Sequence, residues 1–89
     1  MKVKIRVAGV ILGKAIKESF EHEIVDGASI EGLFKALDKD KKKRITKGFF
    51  TGLLTMPRPP SILLNGDRLV PSQDARKTLK DGDEIVILS

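Results

Sequence analysis

His22 is the one imidazole in the chain, and no cysteine accompanies it. Acyl transfer needs a nucleophile, a base and a group that orients the base. Ser19, Glu21 and Glu23 are near His22 in sequence but lie on the other face of the expected strand, and so supply neither the first nor the third. His22 shares its strand face with Phe20 and Ile24, and reads as a partly buried structural imidazole. The absence of cysteine removes thiol catalysis, disulfides and thiolate metal sites together, and fits a reducing compartment. Asp81, Asp83 and Glu84 gather carboxylates, but the further oxygen ligands of a calcium loop are missing from the spacing, and a tight turn explains them. Gly9 and Gly13 are not followed by the lysine and hydroxyl of a phosphate-binding loop. The expectation is a chain with no catalytic residues, no metal and no cofactor.

The densest charge is the run Lys41-Lys42-Lys43-Arg44, in a chain of net charge +5 and isoelectric point near 9.7. Such a run attracts phosphates through counterion release. Yet there is no tyrosine or tryptophan, and the four phenylalanines look committed to a core, so a base-stacking platform is not visible. A solvated turn after a helix, where cations are favoured anyway, is the reading preferred over nucleic-acid contact.

These residues must be held by a small scaffold. Eighty-nine residues, 40% hydrophobic and 33% charged, describe one globular domain spanning 1–89 and no large substrate cavity. Met1 to Arg6 alternates charged and apolar residues, unlike a signal peptide. No window approaches the about 20 apolar residues of a membrane span. A cytoplasmic protein without a membrane partner is expected.

Val3, Ile5 and Val7 alternate with Lys2, Lys4 and Arg6, the period of a half-buried strand. Gly9 to Lys14 reads as a hairpin connection. A second strand over Ala15 to Val25 places Ile16, Phe20 and Ile24 inward, and sets Glu21 and Glu23 across from Lys4 and Arg6. Ser29 caps a helix whose stripe is Ile30, Leu33, Phe34 and Leu37, running to about Lys39. Ile45 to Met56 suggests a short second helix, stopped by Pro57. Ile62 to Leu64, the turn pair Asn65-Gly66, a short return strand Arg68 to Val70, and a last strand Glu84 to Leu88 complete the chain. This order predicts an α+β ubiquitin-like β-grasp: a mixed four- to five-stranded sheet, one main helix on one face, and a short second helix.

The segments Ser61-Ile62-Leu63-Leu64-Asn65-Gly66-Asp67-Arg68-Leu69 and Leu79-Lys80-Asp81-Gly82-Asp83-Glu84-Ile85-Val86-Ile87-Leu88 resemble the C-terminal half of the MoaD/ThiS family, the small sulfur carriers of molybdopterin and thiamine biosynthesis. Asp26 to Phe34 is similar to the family's approach to its helix, and Lys41 to Pro60 matches least. The resemblance implies a C-terminal Gly-Gly tail that is adenylated and thiocarboxylated inside an activating enzyme. Here the sequence ends Ile87-Leu88-Ser89, with no glycine after Gly82. The expectation is therefore a non-catalytic domain without the carrier tail, whose partner is a protein such as a cofactor-synthesis or activating enzyme. Sulfur carriage and RNA association stand as the alternatives.

If Ile85 and Ile87 point at the helix, Val86 and Leu88 emerge on the open face of the sheet beside Lys4 and Arg6, with Leu63 completing a patch. An apolar centre with a charged rim is what small recognition surfaces look like. The competing expectation is that Phe49 to Met56 folds over that face and buries it.

Overall fold

A computed structural model describes residues 1–11, 13–40, 48–58 and 60–88. Five strands form one mixed sheet: β1 (Lys2–Ile11), β2 (Lys14–Glu23), β3 (Ser61–Leu64), β4 (Asp67–Leu69) and β5 (Glu84–Leu88), in the order β2-β1-β5-β3-β4. β5 runs parallel to β1 and antiparallel to β3, so the last strand enters the middle of the sheet. Two antiparallel hairpins, a helix crossing one face and a parallel central pair make the architecture a ubiquitin-like β-grasp.

The alternation read in β1 holds: Val3, Ile5 and Val7 are buried, while Lys2, Lys4 and Arg6 are exposed. The first hairpin differs from expectation. Gly9, Val10, Ile11 and Lys14 belong to the ladder rather than to a connection, leaving two residues between the strands. Gly13 adopts φ 78°, the left-handed conformation that so short a connection requires. The short connection also sets the register. Lys4 faces Glu21, but Glu23 faces Lys2, and Arg6 faces Ser19 instead of a glutamate.

Helix α1 (Ile30–Lys39) buries Ile30, Leu33, Phe34 and Leu37. The Ser29 hydroxyl accepts from Gly32 N–H at 3.1 Å. Two more of the free donors at the helix start go to a distant segment, Ile30 N–H to Lys77 O at 3.0 Å and Glu31 N–H to Ala75 O at 2.8 Å. The segment around residues 75–79 therefore satisfies groups that a helix start otherwise leaves to water.

Helix α2 (Phe49–Thr55) puts Phe49, Phe50 and Leu53 into the same core, with the Phe34 and Phe50 ring centres 5.7 Å apart. Its first residue follows Gly48, which has no side chain to cap it. Asp38, from the last turn of α1, does so instead. Its carboxylate accepts from Phe50 N–H at 2.9 Å, from Thr51 N–H at 2.9 Å and from the Thr51 hydroxyl at 2.6 Å. The described part of the middle segment thus packs under α1, on the core side, and leaves the other face of the sheet uncovered. A further one-turn helix, α3 (Pro71–Asp74), follows β4, which ends at Leu69 rather than Val70. Pro71 opens it at a position where a missing N–H costs nothing, and the Asp74 carboxylate accepts from Val70 N–H at 2.8 Å.

The turns at the base of the sheet hold its strands in register. Asn65 and Gly66 have φ 51° and 87°, the positive pair that a two-residue hairpin connection favours. From that conformation the Asn65 amide donates to Asp83 Oδ1 at 2.9 Å and its carbonyl oxygen accepts from Glu84 N–H at 2.9 Å. Asp83 Oδ2 accepts from Lys80 N–H at 2.7 Å, and Asp83 O from Lys4 N–H at 2.8 Å. Asp81 Oδ1 accepts from Lys2 N–H at 2.7 Å. Of the three carboxylates that sequence reading assigned to a tight turn, two are committed to it: Asp83 is buried and fully engaged, and Asp81 ties the turn to β1, whereas Glu84 opens β5.

Two outcomes are expected from substitution. Asp38→Ala removes the distant cap of α2 and should lower unfolding free energy by about 1–2 kcal/mol in urea titration. Asn65→Ala strands a buried carboxylate oxygen and forces alanine into the left-handed region, so a loss of about 2–3 kcal/mol is expected in the same measurement. A loss under about 0.5 kcal/mol in either case would remove the stated role.

Candidate docking face of the sheet

The pairing registers determine which side chains share the face turned away from α1. Reading across the strands, Lys4 stands between Glu21 on β2 and Glu84 on β5. The next row runs Ser19, Arg6, Val86, Leu63, Arg68 from one edge of the sheet to the other. Beyond it lies Lys17, Ala8, Leu88, Ser61, and past that Ala15 opposite Val10 on the extended hairpin. Each row is directly cross-strand, so its side chains are neighbours.

The five residues singled out from sequence, Leu63, Val86, Leu88, Lys4 and Arg6, therefore lie together on one face of three adjacent strands. Leu88 is 40% exposed and Val10 63% exposed, while Leu63 and Val86 are half-buried among their neighbours. Their alternates Leu64, Ile62, Ile85 and Ile87 are buried beneath α1 and α2. The aliphatic centre runs diagonally from Leu63 through Val86 and Leu88 to Ala8 and Val10.

The face is divided electrostatically. Toward Lys2, acids and bases alternate in the rows, with Glu23 opposite Lys2 and Glu21 opposite Lys4. Around the aliphatic diagonal the charges are Arg6, Lys17 and Arg68, all exposed. None of these three forms an ion pair among the described residues; the side-chain pairs found lie elsewhere, at Lys35–Glu31 and His22–Asp40. Two shallow depressions flank Arg6, one floored toward Lys4, Glu21 and Glu84, the other toward Ala8 and Lys17.

Sequence reasoning missed Ala8, Val10 and Arg68 as members of this face, while alternation along the second strand already turns Lys17 outward. The signal for the first two was present, because the alternation of Lys4 and Arg6 continues through Ala8 and Val10 once the strand is not ended at Gly9. Arg68 follows from the two-residue Asn65-Gly66 turn, which sets it opposite Leu63.

The remaining candidates lie apart. His22 is on the core side of β2, opposite Val3, with Nδ1 4.0 Å from the Asp40 carboxylate. Lys41, Lys42, Lys43 and Arg44 lie outside the described residues. No described helix is long and apolar enough to cross a membrane.

No family model and no curated protein matches the chain. Among solved structures it is similar to the solution structure of the Haloferax volcanii HVO 2177 protein, with TM-score 0.65 and 19% identity over 99% of this chain and 81% of that one. At that identity the likeness concerns the fold alone.

Proposed function

We propose that this chain is a non-catalytic protein-interaction module, a β-grasp domain of MoaD/ThiS type that docks a protein partner through the open face of its sheet. The observation that supports this reading is the row Arg6, Val86, Leu63, Arg68 with Leu88 beside it. Apolar side chains occupy three consecutive strands on a face that no described residue covers, with cations at both ends. A small surface with an aliphatic centre and a charged rim is suited to excluding water around a few anchoring contacts. Leu63, Val86 and Leu88 are the anchors, and Lys4 and Arg6 belong to the rim.

The residues that carry the resemblance to the sulfur carriers spend their side chains on the turn that registers the sheet. Asn65, Asp81 and Asp83 thus support a shared architecture and give no independent warrant for sulfur transfer. A cofactor-synthesis or activating enzyme remains the partner class that the resemblance implies.

Leu88→Asp places a charge in the middle of the apolar diagonal at an exposed strand end. Capture of the partner from the source cell, quantified by mass spectrometry, should fall at least about tenfold. The urea midpoint should change by less than about 1 kcal/mol equivalent, since surface substitutions away from the core cost little. Undiminished capture would remove the docking assignment. A gain of one sulfur-for-oxygen exchange in mass, after incubation with ATP, a sulfur donor and an activating enzyme, would replace it with sulfur carriage.

A further inference from the structure

The charges around the aliphatic diagonal also specify the chemistry of what it meets. We infer that the partner surface is an apolar ridge flanked by carboxylates, seated with its acids over Arg6, Lys17 and Arg68. This rests on the open-face docking reading and adds the partner's charge to it. The three cations sit on β1, β2 and β4, on two sides of Leu63, Val86 and Leu88, and lack ion pairs among the described residues. The acids of the same face stand in the neighbouring rows, with Glu21 and Glu84 on either side of Lys4. A ligand centred on the diagonal therefore meets uncompensated positive charge on its flanks and mixed charge only at one end.

Two other occupants fit less well. A second copy would bring these cations toward each other, in a chain already carrying +5, so self-association through this face is opposed electrostatically. A single-stranded nucleic acid would find phosphate partners but nothing to stack on. Phe34, Phe49 and Phe50 are buried, and Phe20 packs against the core from the opposite side of β2. What the face offers at its centre is aliphatic, which suits Leu, Ile, Val or Met side chains of a protein ridge.

The arrangement also predicts how binding responds to conditions. Rim charges act mainly on association and are screened by salt, whereas the aliphatic contacts are not. Charge should therefore set which partner is chosen, and the apolar diagonal should hold it.

The test uses the full chain, labelled with nitrogen-15, and two synthetic amphipathic helical peptides that share one Leu/Ile ridge. One peptide flanks the ridge with Glu and Asp, the other with Lys. The acidic peptide should shift the amides of Ala8, Leu63, Val86, Leu88 and Arg68 saturably, and bind at least about tenfold more tightly than the basic one at low salt. Reversing two cations together, Arg6→Glu with Arg68→Glu, should weaken the acidic peptide about tenfold and invert the preference. Arg6→Gln with Arg68→Gln reads the same charge if the reversal fails to fold. Equal affinity for both peptides would overturn the acidic partner while leaving the docking face standing. Shifts from both peptides confined to other amides would overturn both. A short single-stranded RNA that shifts these same amides at lower concentration than the acidic peptide would overturn it in favour of a phosphate ligand.

Discussion

The parallel pairing of β1 with β5 is the constraint on which the rest of this structure depends. These strands are far apart in sequence, and nothing in a parallel pair resembles the short turn that registers a hairpin. The register is supplied from outside the ladder. Asp81 and Asp83 bind backbone N–H groups of Lys2 and Lys4, while the Asn65 side chain grips both Asp83 and Glu84. One turn is thereby joined to the first strand on one side and to the β3–β4 turn on the other. A slip of one residue in β5 would carry Ile85 and Ile87 outward and bring Val86 and Leu88 under the helix. The composition of the open face is thus a consequence of hydrogen bonds at the base of the sheet.

A second constraint keeps the described middle segment off that face. Phe49, Phe50 and Leu53 are too apolar to remain in water, and full burial of each contributes about 1.5–3 kcal/mol. Two surfaces were available to them, the core side beneath α1 and the aliphatic diagonal on the other side. The core side wins because it supplies specific partners as well as area. Phe34 offers its ring to Phe50, and Asp38 supplies the cap that Gly48 lacks. A helix of seven residues is too short to be stable alone, so it forms where a neighbour completes it. Docking under α1 consumes its apolar side chains and leaves Leu63, Val86 and Leu88 uncovered by the described chain.

The elements legible in the sequence are those whose information is local. Ser29 with Ile30, Leu33, Phe34 and Leu37 specifies α1 within one stretch of chain, and the period-2 alternation of β1 names its buried side without knowledge of any partner. Asn65-Gly66 specifies its turn by the backbone conformations those residues tolerate. What was not legible depended on residues remote from one another. The distant cap by Asp38 leaves no local signal, because its recipients lie 12 and 13 residues onward. The single turn α3 is shorter than any periodic signal. The register of the first hairpin was obscured by Gly9, which looked like the end of a strand and lies within one. For the docking face, Leu63, Val86, Leu88, Lys4, Arg6 and the outward turn of Lys17 could be placed by alternation alone, whereas Arg68 joins them only once the registers are known.

The aliphatic side chains on the open face are not required by the fold, and the face itself supplies the comparison. Its rows toward Lys2 carry Lys, Glu and Lys again at equivalent outward positions, and those rows pair as well as the others. Strand preference can account for Val86, since β-branched residues suit a pleated surface, but it does not account for leucine at both 63 and 88. Nor does edge protection, which favours charge at exposed strand positions. Positions where the pairing would be served equally by charged residues hold apolar ones, grouped on adjacent strands and flanked by cations without ion pairs among the described residues. The described chain leaves apolar area and charge without partners in the same place, and a single acidic, ridge-shaped protein surface would satisfy both at once.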